Sequence, residues 1–391
     1  MGLRILHSLR SISPADGGPV EGVRQLTKVN LDFGHSVEVM TLDAPDAPWL
    51  GSIGVPVHAL GPGRGIYGYS PRLGPWLETN AKRFDCVIIN GIWQYNSYGA
   101  WRALRRTGVP HFVFTHGMLD PWFKQRHPLK HLKKWLYWPW GGYPVLRDAR
   151  GVFFTCEEER RLARQSFWLY DCDEVVLNYG TAGVPDPARD HRPAFLEKHP
   201  ALAGKRQLLF LGRVHPKKGP DLLFRALGRL QREGRWNPAQ MRLVMAGPSD
   251  GDYANSLRAL AHREQIADSV YWTGLVLGDE KWGAFQAAEA FVLSSHQENF
   301  GLAVVEALSC GTPTLISKQV NIWPEIVADG AGLANEDTVE GCAQMIADWL
   351  ALPEERRQAM RAQAVTTFRA RYTARDAARS LVAWLYLMLR N

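Results

Sequence analysis

The sequence predicts an α/β protein of two domains, each built around a parallel sheet, and three observations predict it. Short apolar runs alternate with helix-length amphipathic stretches almost throughout the 391 residues, the pattern of repeated β-α units. That length exceeds what one hydrophobic core ordinarily supports. Between two sets of strand candidates lies 181–205, rich in Pro, Ala and charge and poor in periodicity, which reads as the connection. The domains are therefore expected at 1–180 and 206–372.

In the first half the strand candidates are 4–7, 37–42, 86–90, 112–115, 152–156 and 175–177. In the second half they are 208–211, 243–246, 270–272, 290–293 and 314–316. The tail reads as two helices with a break near Tyr372 and Thr373, the second carrying an apolar face of Leu381, Trp384, Leu385 and Met388 that needs a partner surface.

Composition narrows the function classes. Five scattered Cys without CxxC spacing argue against a disulfide framework or a zinc site and for a reducing compartment. The N-terminus reaches polar residues at once, which disfavours a signal peptide, and no run approaches the roughly 20 apolar residues of a membrane span. A cytoplasmic protein is expected. The net charge is +7, of which about +5 lies in the stretch ending at Gly180. Within 122–147 stand Lys124, Arg126, Lys130, Lys133, Lys134 and Arg147 with no acidic residue, interleaved with Trp135, Tyr137, Trp138 and Trp140. Basic residues beside interfacial aromatics suit an anionic membrane surface; a helix with a solvated basic face and core-facing aromatics is the plainer alternative. No nucleic-acid motif is present.

The densest chemical signal runs from Ser295 to Thr314. A strand ends near Leu293, a polar loop carries Glu298, and a helix begins near Leu302 after Gly301. Open α/β sheets bind ligands beyond the carboxyl ends of their strands. Gly301 allows close backbone approach, and the following amides form a helix N-terminus suited to phosphate. Glu298 and Glu306 can face one bound molecule and accept hydrogen bonds from sugar hydroxyls, although two such acids are ordinarily just solvated. A second signal, Gly-Arg-x4-Lys-Gly, ends another strand with Arg213 and Lys218, two cations suited to a diphosphate. Asp16-Gly17-Gly18-Pro19 follows the first strand; the glycines free the turn and the proline opens a helix. It lacks GxGxxG spacing, which disfavours a dinucleotide site. His116 ends a further strand, with Asp120 just beyond.

These segments together resemble the retaining family-four glycosyltransferases, also described as glycosyl transferases group 1, which include bacterial exopolysaccharide and O-antigen enzymes. The resemblance covers nearly the whole chain and is sharpest over 210–313. It implies a GT-B fold, with two Rossmann-like α/β domains facing each other across a cleft and the last helix, 373–391, returning to the N-terminal domain. It implies that Glu298, Asn299, Phe300, Gly301 and Leu302 hold the donor sugar and phosphates, that Glu306 holds the ribose, and that Arg213 and Lys218 neutralise the leaving diphosphate. Gly17 and Gly18 would lie against the donor phosphates and His116 near the transferred sugar; Asp120 is the candidate for orienting the acceptor hydroxyl. The implied activity is transfer of a hexose, with mannose favoured, from a nucleoside diphosphate sugar to a glycan or a polyprenyl-diphosphate-linked acceptor in surface polysaccharide synthesis. A Pro-Asn-Gly turn common in the family is replaced here by Leu177-Asn-Tyr-Gly. Two Asp-x-Asp sequences, at Asp171 and Asp250, read as ordinary loops, and no metal or other cofactor is expected because the two cations handle the phosphate charge. The rival is a non-catalytic two-lobe protein that binds a sugar or nucleotide.

Overall fold

A computed structural model describes residues 2–126 and 128–390, without the side chain of Gln125. Met1 and Asn391, the outer ends of the predicted first domain and last helix, lie outside the described residues. The chain forms two compact units, one of 1–180 with 374–391 and one of 181–373.

The first unit holds a seven-stranded parallel sheet in the order β3-β2-β1-β4-β5-β6-β7. Its strands are Arg4–Leu9 (β1), Ser36–Thr41 (β2), Val57–Ala59 (β3), Cys86–Asn90 (β4), His111–Phe114 (β5), Val152–Phe154 (β6) and Glu174–Val176 (β7). The second unit holds a six-stranded parallel sheet, β10-β9-β8-β11-β12-β13. These strands are Arg206–Leu211 (β8), Met241–Ala246 (β9), Val270–Gly274 (β10), Ala290–Leu293 (β11), Thr314–Ser317 (β12) and Gly332–Asn335 (β13). Central strands such as β4 and β11 are buried along their whole length, which is why they read as unbroken apolar runs: helices cover both faces of a parallel sheet.

Two strands escape the sequence expectation. β3 and β13 are edge strands of three and four residues, too short and too mixed in polarity to show a pattern. A second observation concerns 181–205, expected to be the connection between the domains. It belongs to the second unit, where Phe195 and Leu202 are fully buried and Gly283 lets helix Gly278–Ala287 close on the backbone of His191. Two buried anchors in a polar stretch do not make a period.

The last helix, Ala374–Arg390, lies on the first unit. Leu381 and Leu385 are buried, and Trp384 meets Phe112 and Phe153 edge-on at 5.5 and 5.3 Å. No described helix is long and apolar enough to cross a membrane.

Candidate functional site

In both sheets the strand order reverses once, between β1 and β4 and between β8 and β11. Loops leaving the two strands at such a point diverge and open a crevice. The predicted donor residues of the second unit stand in the loops after β8 and β11.

Gly212 leaves β8 at φ 152°, and Arg213 follows, exposed and without an ion-pair partner among the described residues. The turn Pro216–Lys218 ends on Gly219 in the left-handed region, φ 61°. A Cβ there would stand 2.2 Å from the Ser294 carbonyl oxygen, and the Ser294 hydroxyl donates to the Gly219 carbonyl at 2.6 Å. His296 N–H donates to the Lys217 carbonyl at 2.9 Å. The two loops are thus stitched together, and the stitch places the Lys218 ammonium on the Glu298 carboxylate in a direct ion pair.

Glu298 is held by its backbone as well. Its N–H donates to the Gln319 carbonyl at 2.8 Å, and its own carbonyl accepts from Asn321 N–H at 3.0 Å. Asn299 Oδ1 lies 3.4 Å from Asn321 Nδ2. Phe300 is buried and meets Tyr372 at 5.8 Å, so its side chain is core. Gly301 at φ 74° caps helix Leu302–Ser309. The amides of Gly301 and Leu302 donate to no protein atom among the described residues, as the first turn of a helix requires. Together with Arg213 they offer an anion fixed donors and a mobile guanidinium.

Glu306 does not stand alone either. Lys281, on helix Gly278–Ala287, donates to its Oε1 at 2.8 Å while sitting 4.1 Å from the centre of the Trp282 ring. Sequence reasoning missed Lys281, which lies 25 positions away on another helix and in no motif.

In the first unit Gly17 takes φ 75°, and helix Gly18–Asp32 follows with Pro19 in its first turn. A Cβ on either glycine would meet nothing within 4 Å, so the need for glycine is one of backbone conformation at Gly17 and of open approach at both. Gly22, one turn on, packs directly on the Tyr179 phenol; the residue at which this chain departs from the family turn therefore fills a core position.

His116 lies beyond the end of β5 at φ 49°, beside Gly117 at φ 71°. A single buried carboxylate holds that unusual backbone. Glu159 accepts from Thr115 Oγ1 and Gly117 N–H at 2.6 Å each, and from Thr155 N–H and Oγ1 at 2.7 Å each. Sequence reasoning missed Glu159 too; its position three after Cys156, which caps helix Glu157–Ala163, was the available signal. Asn90 Nδ2 lies within reach of the Ile88 and Ser8 carbonyls at 3.2 and 3.4 Å, which turns Asn90 Oδ1 toward His116 Nε2 at 3.0 Å. His116 then carries its proton on Nε2 and offers Nδ1 as an acceptor. Burial, aided by nearby His7, pushes the His116 pKa down to about 3, so the ring is neutral. Asp120 Oδ1 accepts from Trp122 N–H at 2.8 Å and opens the short helix Trp122–Arg126.

The Asp-x-Asp sequences do not converge on other acids: among the described residues no group of three or more His, Cys, Asp or Glu side chains is placed to hold a metal.

Residues 17–179 match the glycosyl transferase 4-like domain, and residues 191–366 match the family described as glycosyl transferases group 1. A D-inositol 3-phosphate glycosyltransferase of Kineococcus radiotolerans is 33% identical over 217 residues, 53% of this chain and 48% of that protein. One from Stackebrandtia nassauensis is 33% identical over 62% of this chain and 55% of its own length. The chain thus spans about half the length of these relatives. Among solved structures, Anabaena Alr3699/HepE, crystallised with UDP and glucose, matches with a TM-score of 0.77 at 16% identity, covering 98% of this chain and 100% of that one. That likeness shows the fold, GT-B.

Proposed function

We propose, for a chain that belongs to the glycosyl transferase 4-like domain through residues 17–179 and to glycosyl transferases group 1 through residues 191–366, that it transfers a hexosyl group from a nucleoside diphosphate sugar to a glycan or lipid-linked oligosaccharide, with retention of configuration, in surface polysaccharide synthesis. The observation that carries this reading is the arrangement where the second sheet reverses: the loop after β8 carries Arg213, without an ion-pair partner among the described residues, and Lys218, and the loop after β11 carries Glu298, paired with Lys218, and the amides of Gly301 and Leu302.

Each part has a task on a sugar nucleotide. The diphosphate competes for the Lys218 ammonium and so releases Glu298 to accept from sugar hydroxyls. Arg213 and the helix amides then take up the charge that develops on the diphosphate as its bond to the anomeric carbon breaks. Preorganised donors of this kind are commonly the largest catalytic contribution. With Glu298 committed to hydroxyls, the acceptor oxygen attacks from the face the diphosphate leaves, through an oxocarbenium-like transition state, and passes its proton to the departing diphosphate oxygen. The names of the relatives favour a second acceptor, an inositol phosphate.

Incubation of sugar nucleotides with lipid-linked glycans or with D-inositol 3-phosphate, read as nucleoside diphosphate release and glycosylated product, tests both acceptors. Arg213→Ala and Lys218→Ala are each expected to lower turnover on the order of 10²–10³-fold in a folded protein. Glu298→Gln is expected to weaken binding of the sugar nucleotide more than of the bare diphosphate. Near-normal transfer by both cation variants, or binding without any nucleotide release by the parent chain, removes the reading.

A further inference from the structure

The first unit carries an apolar face that none of the described residues covers. Leu129 is 79% exposed, Leu136 61% and Trp140 78%; Leu132, Trp135 and Trp168 are exposed as well. Leu129, Leu132 and Leu136 recur at i, i+3 and i+7 along helix Pro128–Tyr137, the spacing of one helical face. Trp140 continues from the wider turn Trp138–Gly142. Trp168 arrives from the segment after helix Glu157–Ala163 and meets Trp135 with ring centres 6.3 Å apart. Two separate segments therefore build one face, and large apolar faces left in water mark interaction sites.

Within 122–147 the charge is of one sign. Lys124, Arg126, Lys130 and Lys133 are all exposed, and the sequence between 122 and 147 holds no acid. The structure also removes members that the sequence placed there. Trp138 is buried and stacked on Phe167 at 4.3 Å; Tyr137 turns inward to the Tyr67 hydroxyl at 2.9 Å; Arg147 is bound to Asp148 at 2.8 Å. The Lys134 ammonium lies over the rings of Trp93 and Phe123 at 4.4 and 5.0 Å, and burial, with Lys130 nearby, lowers its pKa to about 8.

We propose that this face docks on an anionic phospholipid bilayer, with its leucines and tryptophans in the headgroup boundary and its four exposed basic residues on lipid phosphates. A second copy of the chain fits less well, because the pairing of two such faces would bring lysine against lysine. The helix of ten residues is half the roughly 20 that span a bilayer, so it lies in the plane of the interface. The proposal goes beyond glycosyl transfer and uses no residue of the donor site.

The test is co-sedimentation of the full chain with vesicles of phosphatidylcholine alone and of phosphatidylcholine with phosphatidylglycerol in equal parts. Binding is expected to the anionic vesicles only, and to weaken with salt. Lys130→Glu with Lys133→Glu is expected to cut it by roughly 20-fold or more, at about fivefold for each basic residue taken off the lipid phosphates. Leu132→Ser with Leu136→Ser should cut it by roughly tenfold or more. All four residues are exposed, so circular dichroism and hydrolysis of a sugar nucleotide should be unchanged. Equal binding to both vesicle types, no binding to either, or binding indifferent to both variant pairs overturns the proposal. So does a dimer, or retention on a single-stranded oligonucleotide, that the same variants abolish. Loss of sugar-nucleotide hydrolysis with vesicle binding intact counts against the transfer reading and leaves this one standing.

Discussion

Asn90 lies between two imidazoles that the fold keeps uncharged. Its amide is 3.3 Å from His7 Nδ1 and 3.0 Å from His116 Nε2, and burial lowers the pKa of His7 to about 4 and of His116 to about 3. In the unfolded chain both titrate near 6.5. Between pH 6.5 and 4 the unfolded state therefore binds protons that the native state refuses, so stability is full above 6.5 and falls on acidification. The unfolding free energy measured by urea denaturation is expected to drop between pH 7 and pH 4, by roughly 1–3 kcal/mol for each ring. His7→Gln, which cannot titrate, should flatten part of that slope; an identical pH profile would show that His7 is not held neutral. At the donor site the same scale shows acids that are already partnered: Glu298 by Lys218 and Glu306 by Lys281. A ligand there must exchange partners rather than enter an empty charge field.

Loops, more than strands, make the second sheet's crevice, and glycine sets how closely they approach. Gly247, after β9, would place a Cβ 2.0 Å from the Gly212 carbonyl oxygen, and its own N–H donates to the Gly274 carbonyl at 2.7 Å. Three neighbouring strands thus end in glycines with positive φ, and a side chain at Gly247 would drive their ends apart. Gly219 does the corresponding job between the loops after β8 and β11. Gly219→Ala combines φ 61° with a Cβ 2.2 Å from backbone. A loss of roughly 1–3 kcal/mol is expected, seen as a lower melting temperature. Sugar-nucleotide affinity should fall with it, because the displaced turn carries Lys218. Unchanged melting and affinity would mean that the stitch between the loops is dispensable.

The helix Ala374–Arg390 makes the first unit discontinuous in sequence. Trp384 fills the space over Phe112 and Phe153 and leaves Gly151 no room for a Cβ, which would stand 2.4 Å from its ring. Trp384→Ala removes that ring from the back of β5 and β6 and is expected to destabilise the protein by roughly 3 kcal/mol, measured by urea denaturation. A change within 0.5 kcal/mol or so, the usual range for surface sites, would mean that the helix is an appendage. The consequence of the arrangement is that the N-terminal unit cannot be completed until this helix, which follows the whole second unit in sequence, has been made.

Period and spacing determined much by themselves. Short apolar runs located eleven strands, most plainly the central ones, where both faces of a parallel sheet are buried, and the motif residues Arg213, Lys218, Glu298 and Glu306 stood out because each pattern joins a strand end, a glycine and a charge within a few positions. What they meet was decided by tertiary structure. Lys281 reaches Glu306 across 25 positions and Glu159 reaches Gly117 across 42, and no local pattern records a partner brought from another element. The aromatics of 122–147 divide on the same ground: Trp138 and Trp140 are two residues apart in one apolar stretch, yet one is buried and the other 78% exposed. Composition cannot distinguish them, because burial depends on which surface the rest of the chain places against each face.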